Sequence, residues 1–124
     1  MKLSLFHKLF KNEISIAIFK GMIQSEVEEY SKKLKTKGTS LTINVDEDCS
    51  LYFSKNDFLK LCEYYLNNKL TDSEVYYIAD CLTLTESVSF EGQELLELLE
   101  GMTDPESNGI ITKERILSII DTFK

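Results

Sequence analysis

The stretch DPESNGIITKER, residues 104–115, has the residue spacing of a calcium-binding loop over its first half. A loop of the EF-hand type needs oxygen ligands at alternate positions, a glycine at the sixth position and a bidentate glutamate at the twelfth. The twelfth position holds Arg115, a cation where two coordinating oxygens are required. We therefore expect a helix–turn–helix linker, with calcium binding by the Asp104–Asn108 loop as the alternative. The residues that fit the first, third, fifth and sixth positions are Asp104, Glu106, Asn108 and Gly109.

The nucleophilic and titratable side chains do not indicate catalysis. The only histidine, His7, lies in a basic segment, and the chain has no nucleophile motif such as G-x-S-x-G. Cys62 and Cys81 fall on apolar helix faces, where a free cysteine is a small hydrophobe. Cys49 follows Asp48, whose charge disfavours the thiolate that a nucleophile needs. A hydrolase that used paired carboxylates would need a cleft that brings distant acids together. We expect no enzyme, no metal site and no cofactor.

The charges are distributed very unevenly along the chain. Residues 1–40 carry eight lysines and four glutamates, whereas residues 41–124 carry six basic and seventeen acidic side chains. No lysine or arginine occurs between Lys69 and Lys113. Direct binding of nucleic acid needs a basic stripe that releases counterions from phosphates, so we do not expect it of a chain with a net charge of −7. Such a charge favours a cationic protein partner.

Within the acidic part, four glutamates recur at intervals of three residues on a predicted helix. Neighbours at this spacing repel each other by a few tenths of a kcal/mol per pair. Glu97 and Glu100 also lie toward the negative end of the helix dipole, where carboxylates are unfavourable. Two interpretations stay open: an acidic face that is merely solvated, or a surface preformed to bind a strongly basic protein. The four residues are Glu91, Glu94, Glu97 and Glu100.

A second acidic segment, VDEDCSLYF at residues 45–53, places three consecutive carboxylates close to two aromatic residues. Aromatic side chains beside charged ones are typical of interface hot spots. Two interpretations stay open here as well: a partner-binding patch that includes Tyr52, or a polar loop whose aromatic residues turn inward to the core. The three carboxylates belong to Asp46, Glu47 and Asp48.

Apolar residues recur at helical spacing over most of the chain and predict six helices. Ser54 is the expected cap of the third helix, and Thr71 with Glu74 forms a capping box at the start of the fourth. The last helix is expected to turn Ile116 and Leu117 inward, among other apolar residues. The six helices lie at residues 1–11, 15–35, 54–67 and 71–82, between Ser87 and Asp104, and from Thr112 onward.

Only one segment has the two-residue period of a strand. Leu41, Ile43 and Val45 alternate with polar residues, but no second convincing strand exists to pair with them. We therefore expect an extended loop or a minor hairpin there. The length of the chain suits one compact domain. The predicted fold class is all-α or nearly all-α, a single helical bundle that covers residues 1–124.

The sequence favours a soluble protein of the reducing cytoplasm. Three cysteines without a C-x-x-C pair indicate neither a disulfide framework nor a thiolate zinc site. Charged residues interrupt the N-terminal apolar residues before an export signal could form, and the later stretch Ile14–Phe19 is far too short to span a membrane. Whether the basic amphipathic helix at Met1–Lys11 packs against the core or touches a membrane surface stays open, as does the oligomeric state.

Three stretches carry a resemblance to a known family: LFKNEISIAIFKGMIQ at residues 9–24, YYIADCLTLTESVSF at residues 76–90, and the text at Met102–Gly109. Together they resemble small bacterial immunity proteins that are encoded beside polymorphic or contact-dependent growth-inhibition toxins and colicin-like bacteriocins. The resemblance implies a cytosolic antidote without enzymatic activity. Such an antidote binds a cognate toxin domain, often a basic nuclease, and blocks it.

The resemblance transfers no individual residue, because it consists of core and turn patterns. The proposed partner surface comes instead from the charge pattern of this chain. The sequence thus predicts an immunity protein that binds a cationic toxin, and the alternative is a calcium-binding or acidic adaptor module. The predicted partner-binding residues are Asp46, Glu47, Asp48, Tyr52, Glu91, Glu94, Glu97 and Glu100.

Overall fold

The computed structural model describes residues 1–34, 43–103 and 105–123. Over these residues the chain is mostly helical, as the sequence predicts, and forms seven helices and two short strands. Six helices correspond to the predicted ones, and the other is a single turn where the sequence predicts a linker. In chain order the elements are α1 (Leu3–Phe10), α2 (Ile16–Leu34), β1 (Leu51–Phe53), α3 (Lys55–Leu66), α4 (Asp72–Thr83), β2 (Val88–Phe90), α5 (Gln93–Glu100), α6 (Pro105–Asn108) and α7 (Lys113–Thr122).

The predicted helix caps are confirmed. Ser54 Oγ accepts a hydrogen bond from Asp57 N at 3.1 Å, and Thr71 Oγ1 accepts one from Glu74 N at 3.3 Å. In both cases the carboxylate accepts a hydrogen bond from the backbone N–H of the capping residue, which completes a capping box. Thr112 caps α7 through its hydroxyl. These local contacts explain where α3, α4 and α7 begin.

The core is centred on α4, which packs against α2 on one side and α5 on another. Eight of the twelve residues of α4 are buried. The basic helix α1 also turns its apolar side into this core, so it packs as part of the fold and leaves Lys8 and Lys11 exposed. None of the described helices combines the length and the apolar content that crossing a membrane requires. The fully buried phenylalanines are Phe6, Phe19, Phe53 and Phe58.

The two strands form a small parallel pair, which differs from the minor hairpin that the sequence allowed as an alternative to an extended loop. Leu51 pairs with Val88, and Phe53 pairs with Phe90. Parallel strands need a long crossover connection, and here α3 and α4 supply it. The sequence did not reveal β2 because it has only three residues and directly precedes a strongly helical pattern. The pair places residues 51–53 beside the segment that leads into α5.

Other details differ from the sequence-based expectations. Leu41 lies outside the described residues, and the half-buried Ile43 and Val45 belong to no strand. The next residue, Asp46, forms an isolated parallel bridge with Lys2. In α7, Ile116 is fully buried as expected, but the side chain of Leu117 is 52% exposed. The difference arises because α7 packs mainly against α3, so only a narrow side of the helix faces the core.

Candidate partner-binding surface

The helix α5 is amphipathic, and its acidic side is exposed. Leu95 and Leu99 are fully buried, whereas Glu94, Glu97 and Glu100 are exposed. In the described part of the chain, none of these three carboxylates forms a hydrogen bond or an ion pair. We name these three residues the α5 acidic face. Its charges are not neutralised by local contacts.

Glu91 is not part of this helix, contrary to the sequence-based placement. After β2, Gly92 adopts a φ of 85° at the N-cap of α5, a left-handed conformation that favours glycine. This turn separates Glu91 from the helical spacing that follows. Glu91 Oε1 lies 3.4 Å from Lys55 N at the start of α3, so the carboxylate helps to satisfy a free N–H of that helix.

A shallow groove separates the α5 acidic face from the end of α4. Glu97 and Glu100 line one side, and Asp80 and Leu84 line the other. The side chain of Leu84 is 69% exposed, although it is large and apolar. Asp80 accepts a hydrogen bond from the hydroxyl of Tyr30, which fixes the position of its carboxylate. The groove therefore combines an exposed leucine with carboxylates on both sides.

Asp80 and Leu84 were not among the partner-binding residues predicted from the sequence. Both occur at the end of a helix whose other residues are mainly buried, so their exposure depends on which side of α4 is left uncovered. A weak signal exists, because Leu84 follows the buried Leu82 by two residues and thus lies on a different side of the helix. Only the packing of α5 against α4 shows that this side borders the acidic residues.

The carboxylates of the acidic loop, residues 46–48, are exposed but largely used by the fold. Glu47 Oε1 accepts a hydrogen bond from Ser87 N at 2.9 Å, just before β2. Asp48 accepts hydrogen bonds from Ser4 N at 3.0 Å and from Ser4 Oγ at 2.6 Å, at the start of α1. Asp46 contributes through its backbone, whose carbonyl accepts from Leu3 N at 3.0 Å. The loop thus ties α1 and β2 together.

These hydrogen bonds also change the acidity of the loop. The hydrogen bond from the Ser87 backbone lowers the pKa of Glu47 below its ordinary value. The hydrogen bonds from the Ser4 hydroxyl and backbone lower the pKa of Asp48 in the same way. Both carboxyl groups therefore stay ionised to a lower pH than isolated ones would.

The two aromatic residues of β1 face opposite ways. Phe53 is fully buried, and its ring lies 5.4 Å from that of Phe10 and 6.0 Å from that of Phe90, measured between centroids. The side chain of Tyr52 is 58% exposed on the outer side of the strand. Phe53 therefore belongs to the core, as one of the two interpretations expected, whereas Tyr52 is exposed on the outer side of the strand and its role as a partner-binding residue stays a prediction.

The stretch with calcium-loop spacing is organised around Arg115. Asp104 lies outside the described residues, and the side chain of Glu106 is not described either. Arg115 Nη2 donates to Gly101 O at 2.7 Å, and Nη1 lies 3.1 Å from Asn108 O. Nη1 also lies 3.3 Å and 3.4 Å from the next two carbonyl oxygens along the chain. Residues 1–34, 43–103 and 105–123 contain no group of three or more metal-ligating side chains.

The cysteines are placed as the sequence predicts for core residues. Cys62 and Cys81 are fully buried, and burial raises the pKa of each thiol to about 12. Cys49 is half-buried, and desolvation together with the charge of Asp48 raises the pKa of its thiol. All three thiols are therefore protonated at neutral pH, which makes them poor nucleophiles.

Searches against protein-family models, curated proteins and solved structures found no match to this chain. The resemblance to immunity proteins therefore stays a hypothesis. The evidence that bears on function is the charge and exposure of the surface residues described above.

Proposed function

We propose that this protein is an immunity protein that binds a cognate toxin domain of basic charge, such as a nuclease domain, and thereby neutralises it in the cytoplasm. The α5 acidic face is the observation that carries the proposal. Its carboxylates are exposed and form no hydrogen bond or ion pair with other described residues, although they repel one another. A cationic partner would relieve this repulsion and would gain favourable charge interactions.

The electrostatics of α5 support a role beyond solubility. A helix that needs only solubility usually alternates glutamate with lysine four residues further on, which stabilises it. Here no lysine or arginine occurs between Lys69 and Lys113. The resulting field of one sign would raise the association rate of a basic protein and disfavour acidic or neutral competitors.

The groove beside α5 offers an apolar side chain for contact with the partner. Leu84 is exposed between Asp80 on its own helix and Glu97 and Glu100 on the neighbouring one. Interfaces of high affinity commonly bury a few apolar or aromatic side chains at their centre and surround them with charged groups. We therefore place Leu84 at the centre of the proposed interface and the carboxylates around it.

The remaining predicted residues take a secondary place in this proposal. Tyr52 is accessible and could extend the interface along the outer side of the sheet. Glu47 and Asp48 already accept hydrogen bonds within the protein, and Glu91 contacts the start of α3. Asp46 is exposed, but only its backbone makes described contacts. The carboxylates of Glu47, Asp48 and Glu91 are therefore less free to reorganise around a partner than those of α5.

The test of the function is binding to, and growth protection against, the toxin domain encoded beside this gene. Co-expression of the two proteins should restore growth of cells that the toxin domain alone inhibits. Titration of the purified proteins at low and at high salt should show tight binding that weakens as salt rises, because salt screens exposed charges. If the protein neither protected the cells nor bound the toxin domain, the proposal would be removed.

The double variant Glu94→Lys/Glu97→Lys tests the surface. We expect its affinity for the toxin domain to fall by ~10-fold or more at low salt and by less at high salt, because two attractive charges become repulsive. The matched control is Glu13→Lys/Glu63→Lys, which makes the same change in net charge at two exposed positions away from α5. Equal losses in the two variants would mean that only the net charge matters, and no loss in either would move the interface elsewhere.

A second variant, Leu84→Ala, tests the apolar contact. We expect a loss of affinity of roughly 5- to 10-fold that does not depend on salt, because the lost contact is apolar and not ionic. The control is Leu117→Ala, since Leu117 is also an exposed leucine but lies on α7. If the loss for Leu84→Ala grew smaller with increasing salt, Leu84 would be acting only through the position of the neighbouring charges.

A further inference from the structure

The end of α5 has carbonyl groups that need donors in a strongly acidic environment. The last carbonyls of a helix have no partner within the helix, and here Glu97 and Glu100 add negative charge beside them. The Asn108 side chain donates to Thr103 O at 2.7 Å, which satisfies one carbonyl that follows the helix. The guanidinium of Arg115 donates to Gly101 O and so brings a positive charge to this end of α5.

The same guanidinium also contacts three consecutive carbonyls on the other side of the turn, at residues 108–110. Gly109 has a φ of 82°, a conformation that favours glycine and lets the chain turn sharply at this point. Carbonyl oxygens that converge on one point are a binding arrangement for a cation, as in calcium loops. In this turn the cation is a side chain of the protein itself.

We propose that Arg115 is an internal cation that holds the turn between α5 and α7 closed, in the role that a bound metal ion has in loops of this type. The four carbonyl contacts fix Gly101, at the end of α5, relative to residues 108–110 before α7. The acidic end of α5 and the neighbouring groove therefore keep their arrangement without a metal. This inference concerns the free protein and does not depend on the proposed toxin partner.

The test compares Arg115→Ala with Lys113→Ala in the full chain. Both variants remove one positive charge from the same region, but Lys113 contacts only Asn68 Oδ1 among the described residues, at 2.8 Å. Hydrogen exchange of the backbone amides of Gly101, Met102, Thr103 and Gly109 reports on closure of the turn, because the first three are hydrogen-bonded to carbonyls in the last turn of α5 and the fourth to Pro105 O. We expect exchange of these amides to be ~10-fold or more faster in Arg115→Ala and nearly unchanged in Lys113→Ala.

Chemical rescue separates the guanidinium contacts from a general loss of stability. Guanidinium chloride at about 50 mM, far below denaturing concentrations, should slow the exchange again in Arg115→Ala. The same concentration of tetramethylammonium chloride should not, because this cation has no N–H group to donate to the four carbonyls and is shielded from them by its methyl groups. If Arg115→Ala does not fold, Arg115→Lys replaces it: its ammonium keeps the charge but lacks the planar fork, so the turn should exchange faster than in the wild type and guanidinium should have the same effect.

Three results would overturn the proposal. One is exchange in the Arg115 variant that equals that of Lys113→Ala. Another is restoration by tetramethylammonium chloride as effectively as by guanidinium chloride, which would indicate simple screening. The third is a turn whose amides become protected from exchange only after calcium is added. That result would mean that a metal ion, and not Arg115, holds the turn closed.

Discussion

Two acidic segments of similar composition have different relations to the fold. In the acidic loop, Glu47 and Asp48 accept hydrogen bonds from backbone N–H groups at the starts of β2 and α1. On the α5 acidic face, Glu97 and Glu100 accept none within the described residues. The reason is geometric. N–H groups at the start of an element lack a partner in that element, whereas those within a helix are bonded to carbonyls four residues earlier.

The difference shows that carboxylate-rich composition does not reveal whether a charge serves the fold or a partner. A carboxylate that serves the fold has a donor within reach and resists replacement even by its amide. A carboxylate without such a donor costs little to remove and stays available for intermolecular contacts. Each of the following variants tests whether the two segments differ in this way.

The largest effect is expected at the sheet that lies between the two segments. Phe53→Ala should lower the free energy of unfolding by about 3–5 kcal/mol, because this fully buried ring packs against two other phenylalanines. Tyr52→Ala, at the exposed neighbouring position, should cost less than about 1 kcal/mol. Urea denaturation measures both. Equal losses would contradict the orientation of β1 described above.

The next effect is expected in the acidic loop. Asp48→Ala should lower the urea midpoint, because it leaves the Ser4 N–H at the start of α1 without its acceptor. Glu97→Ala, which removes one charge from the α5 acidic face, should leave the midpoint unchanged or raise it. The loss for Asp48→Ala should be smaller than that of Phe53→Ala, since Asp48 is exposed. A loss of stability in Glu97→Ala and none in Asp48→Ala would reverse the comparison.

The loop should also give stability a pH dependence of definite sign. The pKa of Asp48 is lowered from its ordinary value of 3.8, and that of Glu47 from 4.5. A carboxyl whose pKa is lower in the folded state stabilises the fold above its unfolded pKa, and this contribution is lost as the pH falls through the folded pKa. The difference in urea midpoint between the wild type and Asp48→Ala should therefore be constant from about pH 7 to pH 5 and shrink below about pH 4. A difference unchanged down to about pH 2 would show that the charge of Asp48 plays no part.

The smallest expected changes in stability have opposite signs in the two segments. Glu97→Gln should raise the free energy of unfolding by a few tenths of a kcal/mol, because it relieves repulsion from the glutamates three residues before and after it. Glu47→Gln should lower the urea midpoint, because an amide oxygen is a weaker acceptor than a carboxylate for the Ser87 N–H. Thermal denaturation at low salt would measure both, and shifts of the same sign would show that the two carboxylates have equivalent surroundings.

Local contacts account for the parts of the fold that could be predicted. The six predicted helices and the caps at Ser54, Thr71 and Thr112 depend on residues close to each other in the chain, so their pattern is visible in the sequence. The parallel pair of strands was not predictable, because β1 and β2 are three residues long and are separated in the chain by two helices. Exposure of Leu117 was missed for a similar reason, since it depends on which neighbours α7 has.

The candidate surface was predicted in part. Exposure of Glu94, Glu97 and Glu100 follows from the helical period, because Leu95 and Leu99 define the opposite, buried side. The placement of Glu91 on that helix was wrong, because the turn at Gly92 was not anticipated. No sequence pattern indicated the groove that joins these glutamates to Leu84.

The helices, their caps, the buried sides of most of them and the uneven distribution of charge follow from residue type and short-range spacing, so they could be predicted from the sequence. Long-range packing explains the rest: which carboxylates find donors, which leucine stays exposed, and how Arg115 reaches the end of α5. Each of these depends on groups far apart in sequence, whose distances are set by packing. For that reason two carboxylate-rich segments came to have different surroundings.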